Sequence, residues 1–184
     1  MLTVQFSCTD HAAKGPHVLI NTEYGDIEIE LYPDKAPKTV AAFLSFIDAG
    51  YYKKSDFYRV LKSEGMDGTN YGIIQGGTWN TEGDKGPDVP GIPHESTKQT
   101  GLSHTTGTIS LARTKPGTAG TEFFICVGDQ LQFDYGNENG GDREGFAAFG
   151  KVIKGMKVVR EIQKQPFTGD RFDKVITITG FKRL

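Results

Sequence analysis

Apolar and polar positions recur along this chain with two different periods, and the periods predict its elements. In Asp26-Ile27-Glu28-Ile29-Glu30-Leu31-Tyr32 acidic and apolar residues alternate at every second position, the pattern of a strand with one buried face. His17 to Thr22 reads as a strand before it, and Gly25 is the turn residue that joins the two into a hairpin. The spacing then changes. Pro37 suits the first turn of a helix, Val40, Phe43, Leu44 and Ile47 follow at helical intervals, and Gly50 is its natural stop. Further strands are predicted over Asp56 to Leu61, Ile73 to Gly77, Gly107 to Ala112, Glu122 to Val127, Phe146 to Val152 and Val175 to Phe181. A second short helix over Gly155 to Lys164 places Met156, Val159 and Ile162 on one stripe. Three stretches rich in Gly and polar residues, 63–72, 78–99 and 135–145, read as loops.

Many strands with two widely separated helices predict an all-β dominated fold, a barrel with helices covering its ends. No repeat of fixed period and no linker divides the chain, so residues 16–184 form one expected domain behind a flexible N-terminal tail, 1–15.

Composition narrows the function classes. Hydrophobic residues at 36% and charged residues at 24% exclude both a disordered chain and a membrane bundle. A formal net charge of −2 gives no general attraction to phosphate backbones, so no nucleic-acid partner is expected. Nothing in the pattern marks a dimer face, and a monomer is expected. Two cysteines, Cys8 and Cys126, form neither a disulfide framework nor a metal site. Cys126 stands in an apolar run and reads as a buried small side chain. Cys8 follows a short apolar N-terminal stretch and is a candidate lipidation site, although the charged start and longer apolar core of a full lipoprotein signal are missing. Localisation is therefore open: cytoplasmic, or periplasmic and membrane-anchored if Cys8 is acylated. Asn137, Asn139 and Asp142 lack calcium-loop spacing, and His94, Glu95 and His104 lack a metal-binding pattern, so no metal is expected. Ser110 has no motif-placed His or Asp to activate it.

Several segments carry a family resemblance. Gly25 to Leu31 followed by Ala36-Pro37-Lys38-Thr39-Val40-Ala41-Ala42-Phe43, then Phe57-Tyr58-Arg59-Val60, Ile74-Gln75-Gly76-Gly77, Gly107 to Arg113, Gly120-Thr121-Glu122-Phe123-Phe124-Ile125 and Phe149-Gly150-Lys151-Val152 stand in the order found in the cyclophilin family of peptidyl-prolyl cis/trans isomerases, which this chain resembles as a bacterial-like member. The resemblance implies a closed eight-stranded antiparallel β-barrel capped by two α-helices, with a groove on its outer face. It implies isomerisation of X-Pro bonds in peptides and folding proteins, with no cofactor, and proline-containing peptides and flexible chains as partners.

An X-Pro bond rotates over a barrier of roughly 18–20 kcal/mol because its amide is resonance-stabilised. A catalyst must favour the twisted amide over the planar one. Twisting returns a lone pair to the proline nitrogen, and a fixed cation that donates to that nitrogen weakens the resonance; arginine offers permanent charge and rigid donors. By resemblance Arg59 is the catalytic residue. The proline slot falls to Ile73, Phe124, Phe133 and Phe146, with Phe123 pointing to the core. Gln75 positions Arg59, and the main chain at Ala112 and Arg113 pairs with the client.

The chain also departs from the family. Residues 62–71 form an added loop beside the site, Gly72 stands where an aromatic is common, and Tyr71 is the candidate to replace it. Glu122 replaces a common Gln and either captures Arg59 or orients it. Arg113 replaces a common Asn and adds positive charge to the peptide path. Phe146 replaces a common His, and no Trp lies between Gly128 and Tyr135, which implies weak cyclosporin binding at most. These changes allow a rate lower by about one or two orders of magnitude, ~1.4–2.8 kcal/mol. They also keep a second reading open, a proline-segment binder or chaperone module of little catalytic power on the same fold.

Overall fold

The computed structural model describes residues 15–79, 87–138 and 142–184. Residues 1–14 of the expected tail, Cys8 among them, and Asn139 lie outside the described residues.

Strands β1 (His17–Thr22) and β2 (Gly25–Leu31) form the expected hairpin. β3 (Ser55–Glu64), β4 (Asn70–Gly77), β5 (Thr108–Leu111), β6 (Phe123–Val127), β7 (Ala147–Lys154) and β9 (Arg171–Arg183) complete the sheet. The antiparallel order β1-β2-β7-β5-β6-β4-β3-β9 returns to its start through a β1–β9 pairing, so the eight strands close into a barrel. β8 (Phe167–Thr168) is a two-residue flap on β9.

The period-2 pattern explains the interior. Ile27, Ile29 and Leu31 of β2 point inward beside Phe57, Ile74, Ile109, Phe123 and Phe149, all fully buried. Helix α1 (Pro37–Asp48) lays Phe43 among the rings of Tyr52, Phe123, Phe149 and Phe181, with centroids 5.0–6.1 Å away. α1 has no cap of its own. The buried Glu95 carboxylate supplies it from a distance, accepting from the Thr39 amide at 2.8 Å, the Thr39 hydroxyl at 2.7 Å and the Lys38 amide at 3.2 Å.

Two expectations are corrected. Among the described residues three α-helices occur, not two: besides α1 and α3 (Met156–Gln163), a single turn α2 (Thr97–Thr100) ends the stretch read as a loop. Its capping box, Ser96 with Gln99, offers the free helix-start groups their partners. Residues 62–71 are also not an added loop. β3 and β4 continue into it as a paired hairpin, Lys62 opposite Gly72, Ser63 opposite Tyr71 and Glu64 opposite Asn70, leaving only 65–69 as the turn. Gly72 has no room for a side chain: a Cβ there would stand 1.9 Å from the Leu61 carbonyl oxygen.

Candidate functional site

The strands that bury one face in the barrel carry a second apolar cluster on the other. Ile73 of β4 and Phe124 and Cys126 of β6 form its buried base, and Leu61, Ala112, Phe133 and Phe146 pack against it. Alternation along β6 decides the split, sending Phe123 to the main core and Phe124 outward. Burial, with the Asp134 and Asp129 charges adding to it, drives the Cys126 thiol pKa upward, so it serves as packing.

A cleft of about 430 Å³ opens over this cluster, and its lining includes every residue expected at the site: Arg59, Ile73, Gln75, Ala112, Arg113, Glu122, Phe124, Phe133 and Phe146. Phe124 is only 2% exposed and forms part of the cleft wall. It meets Phe133 and Phe146 at centroid distances of 5.4 Å each, and those two rings stand 5.3 Å apart, all edge to face. Such a set of rings is rigid and apolar. Leu61, Thr114, Thr118 and Gly120 complete the lining without having been singled out from the sequence. Tyr71 is not in the lining; its ring lies against Gly128 instead, so it does not replace an aromatic at position 72.

Arg59 is held at two of its nitrogens. Its Nε donates to Asp170 Oδ2 at 2.7 Å, and its Nη1 donates to Gln75 Oε1 at 2.9 Å. Among the described residues Nη2 has no partner, and the side chain is 31% exposed in the cleft wall. The bond from Arg59 holds the Asp170 carboxyl below its ordinary pKa.

Glu122 does not pair with Arg59. Its carboxylate accepts the Tyr58 hydroxyl at 2.6 Å and the amides of Thr78 and Trp79 at 2.8 and 3.0 Å. Gly77 makes room for it: with φ of +150°, a Cβ would lie 2.4 Å from a Glu122 oxygen. This placement orients a chain of bonds. A carboxylate can only accept, so Tyr58 donates to it, and the Tyr58 oxygen is left to accept from Gln75 Nε2 at 2.8 Å. The Gln75 amide is thereby turned with its oxygen toward Arg59. Burial and the Glu122 charge raise the Tyr58 pKa far above normal, so this donor stays protonated.

Arg113 does not add free charge to the peptide path. Its guanidinium makes a two-pronged pair with Asp142, at 2.7 and 2.9 Å, also donates to the Gly145 carbonyl, and lies 5.0 Å from the Phe146 ring centroid. The bond from Arg113 lowers the Asp142 pKa from 3.8 to about 2.

Behind Phe124, Ser110 does meet a His and an Asp, contrary to the sequence reading. His104 Nε2 is 3.0 Å from Ser110 Oγ, and His104 Nδ1 is 2.6 Å from Asp134 Oδ1. His104 and Ser110 are both 0% exposed, and the His104 ring stacks on Phe124 at 5.8 Å. No substrate reaches that serine, so the trio is a buried support for the slot floor. Burial acts to raise the Asp134 pKa, but bonds from His104 and Ser103 outweigh it and the net shift is downward. His94 lies elsewhere, its Nε2 3.1 Å from the Glu144 carbonyl oxygen.

Comparisons with known proteins agree with this fold. A family model described as "Cyclophilin type peptidyl-prolyl cis-trans isomerase/CLD" matches residues 17–183. The chain is similar to peptidyl-prolyl cis-trans isomerase A of Dickeya dadantii, 34% identical over 160 residues that cover 86% of this chain and 77% of that one. It is 38% identical over 157 residues to a peptidyl-prolyl cis-trans isomerase of Acinetobacter baylyi, covering 85% and 76%. A solved structure of a Cryptosporidium parvum cyclophilin type peptidyl-prolyl cis-trans isomerase, obtained in the presence of the dipeptide Ala-Pro, is similar with a TM-score of 0.71 and 26% identity, covering 91% of this chain and 98% of that one.

Proposed function

The chain belongs to the cyclophilin-type peptidyl-prolyl cis-trans isomerases, and from that premise we propose how its cleft turns an X-Pro bond. The proline ring enters the slot formed by Ile73, Phe124, Phe133 and Phe146. The client backbone lies along the end of β5. The Ala112 amide is already bonded to the Glu122 carbonyl at 2.9 Å, so pairing there uses the Ala112 carbonyl and the peptide group of Arg113. Arg59 offers the nitrogen left unpaired by Asp170 and Gln75, Nη2, to the proline nitrogen as the amide twists. That contact exists only when the nitrogen regains its lone pair, so it favours the transition state over either planar isomer. The apolar walls lower the local dielectric and strengthen it.

The observation that carries this reading is the two-point mooring of Arg59 beside the three-ring slot. A binder without turnover would follow if Glu122 captured Arg59. Glu122 is committed to Tyr58 and two backbone amides instead, which supports the orienting role and removes one of the reasons to expect a weakened enzyme. The test is isomerisation of a proline peptide followed by a conformation-sensitive probe. Arg59→Ala is expected to lower kcat/KM by about two to three orders of magnitude with the fold intact by circular dichroism. Near-full activity in that variant overturns the mechanism. Cyclosporin added to the same assay is expected to inhibit weakly, since no Trp stands in 128–135.

A further inference from the structure

A second hollow of about 400 Å³ adjoins the proline slot and shares Arg59, Gln75 and Glu122 with it; the rest of its lining is Tyr58, Trp79, Asp170 and Arg171. The mechanism above uses neither Trp79 nor Arg171. The guanidinium of Arg171 lies over both rings, 4.4 Å from the Trp79 centroid and 5.2 Å from that of Tyr58. The rings themselves meet edge to face at 5.4 Å. With aromatic rings against its faces, the guanidinium is left to interact through its N–H edge.

That edge is poorly matched within the protein. Arg171 Nη1 is sealed from solvent with no hydrogen-bond partner, and the side chain as a whole is 37% exposed, so an outside acceptor approaches the guanidinium through its open part. The ion-pair contact to Asp170, 3.7 Å from Nε to Oδ1, is beyond hydrogen-bond distance. The carboxylates of the hollow are engaged by other donors, Asp170 by Arg59 and Glu122 by Tyr58, Thr78 and Trp79. Among the described residues the hollow therefore holds satisfied anions and an unsatisfied cation. The complement is a charged acceptor brought from outside, and a client threaded past Arg59 passes this edge. We infer that Arg171, caged by Trp79 and Tyr58, is a specificity subsite that takes the carboxylate of an acidic client residue flanking the proline. The inference rests on the isomerase reading and adds the substrate class to it.

The test compares proline peptides that carry Glu or Gln on either side of the proline. In the unaltered protein the Glu peptide is expected to have a kcat/KM about tenfold higher at one of the two positions, carried by KM, as a charge-assisted bond to a caged guanidinium requires. Arg171→Gln should bring that ratio toward one. If that variant does not fold, Arg171→Lys, which loses the planar fork, should reduce the ratio as well. Trp79 is the only tryptophan of the chain and is 38% exposed, so quenching of its fluorescence reports binding at this hollow independently of turnover. Equal affinity and equal kcat/KM for Glu and Gln at both positions overturn the inference, as does a preference that persists in a folded Arg171 variant. In either case turnover of the peptides leaves the isomerase reading intact. If no peptide turns over, that reading fails on its own, and the fluorescence affinities still decide the subsite.

Discussion

At the scale of single residues, the site depends on what each side chain can and cannot donate. Glu122 illustrates this, because a carboxylate has no proton to give and so sets the direction of every bond from Tyr58 through Gln75 to Arg59. An amide at the same position could donate as well as accept, and the chain would lose its single orientation. Glu122→Gln is therefore expected to lower kcat/KM by about fivefold, the loss of ~1 kcal/mol from one misdirected bond. A rate that rises in the same peptide assay would mean that Glu122 restrains Arg59 after all. Arg59 itself was legible in Phe57-Tyr58-Arg59-Val60. Its partner Asp170 was not, since 111 residues separate them and no local pattern marks a turn aspartate as an arginine's anchor.

At the scale of elements, segments far apart in sequence become one wall of the cleft through side-chain ties. Arg113, just beyond β5, fastens the segment from Asp142 to Gly145 and so holds Phe146 against Phe133 and Phe124. The folded Asp142 pKa is depressed, so the tie contributes fully above the ordinary 3.8 and is lost as pH falls through about 2. An NMR titration of the Asp142 carboxyl is expected to give a midpoint near 2; a midpoint at the ordinary carboxylate value would show that the tie does not form in solution. The reach of the β3–β4 hairpin was misread for a related reason. Gly65, Gly68 and Gly72 punctuate the segment as a loop would, while its strand character comes from pairing across the turn. The α2 turn was missed as well, read as part of a loop, although the Ser96 to Gln99 spacing is a local signal for a helix start.

At the scale of the whole molecule, the closed barrel lets one set of strands build two apolar clusters. The inner cluster stabilises the fold, and the outer one, bonded to the same backbone, floors the cleft proposed to take the client. Phe43 links α1 to the inner cluster through rings of β6, β7 and β9. Phe43→Ala is expected to cost about 3–5 kcal/mol in urea unfolding, because the barrel cannot close over the lost ring. A loss below ~1 kcal/mol would mean that α1 docks without this ring set.

The strands, both larger helices and the inward set of apolar residues follow from the sequence, because strand and helix periods are local properties that burial reads directly. The motif residues of the cleft were also legible, from Arg59 to Phe146, through their order along the chain. Only the tertiary structure decided what those residues touch. It gave Arg59 to Asp170, Glu122 to Tyr58, Arg113 to Asp142 and Arg171 to Trp79. The physical reason is that charge pairing and ring stacking act between side chains brought together by barrel closure, and closure joins positions whose separation along the chain carries no signal.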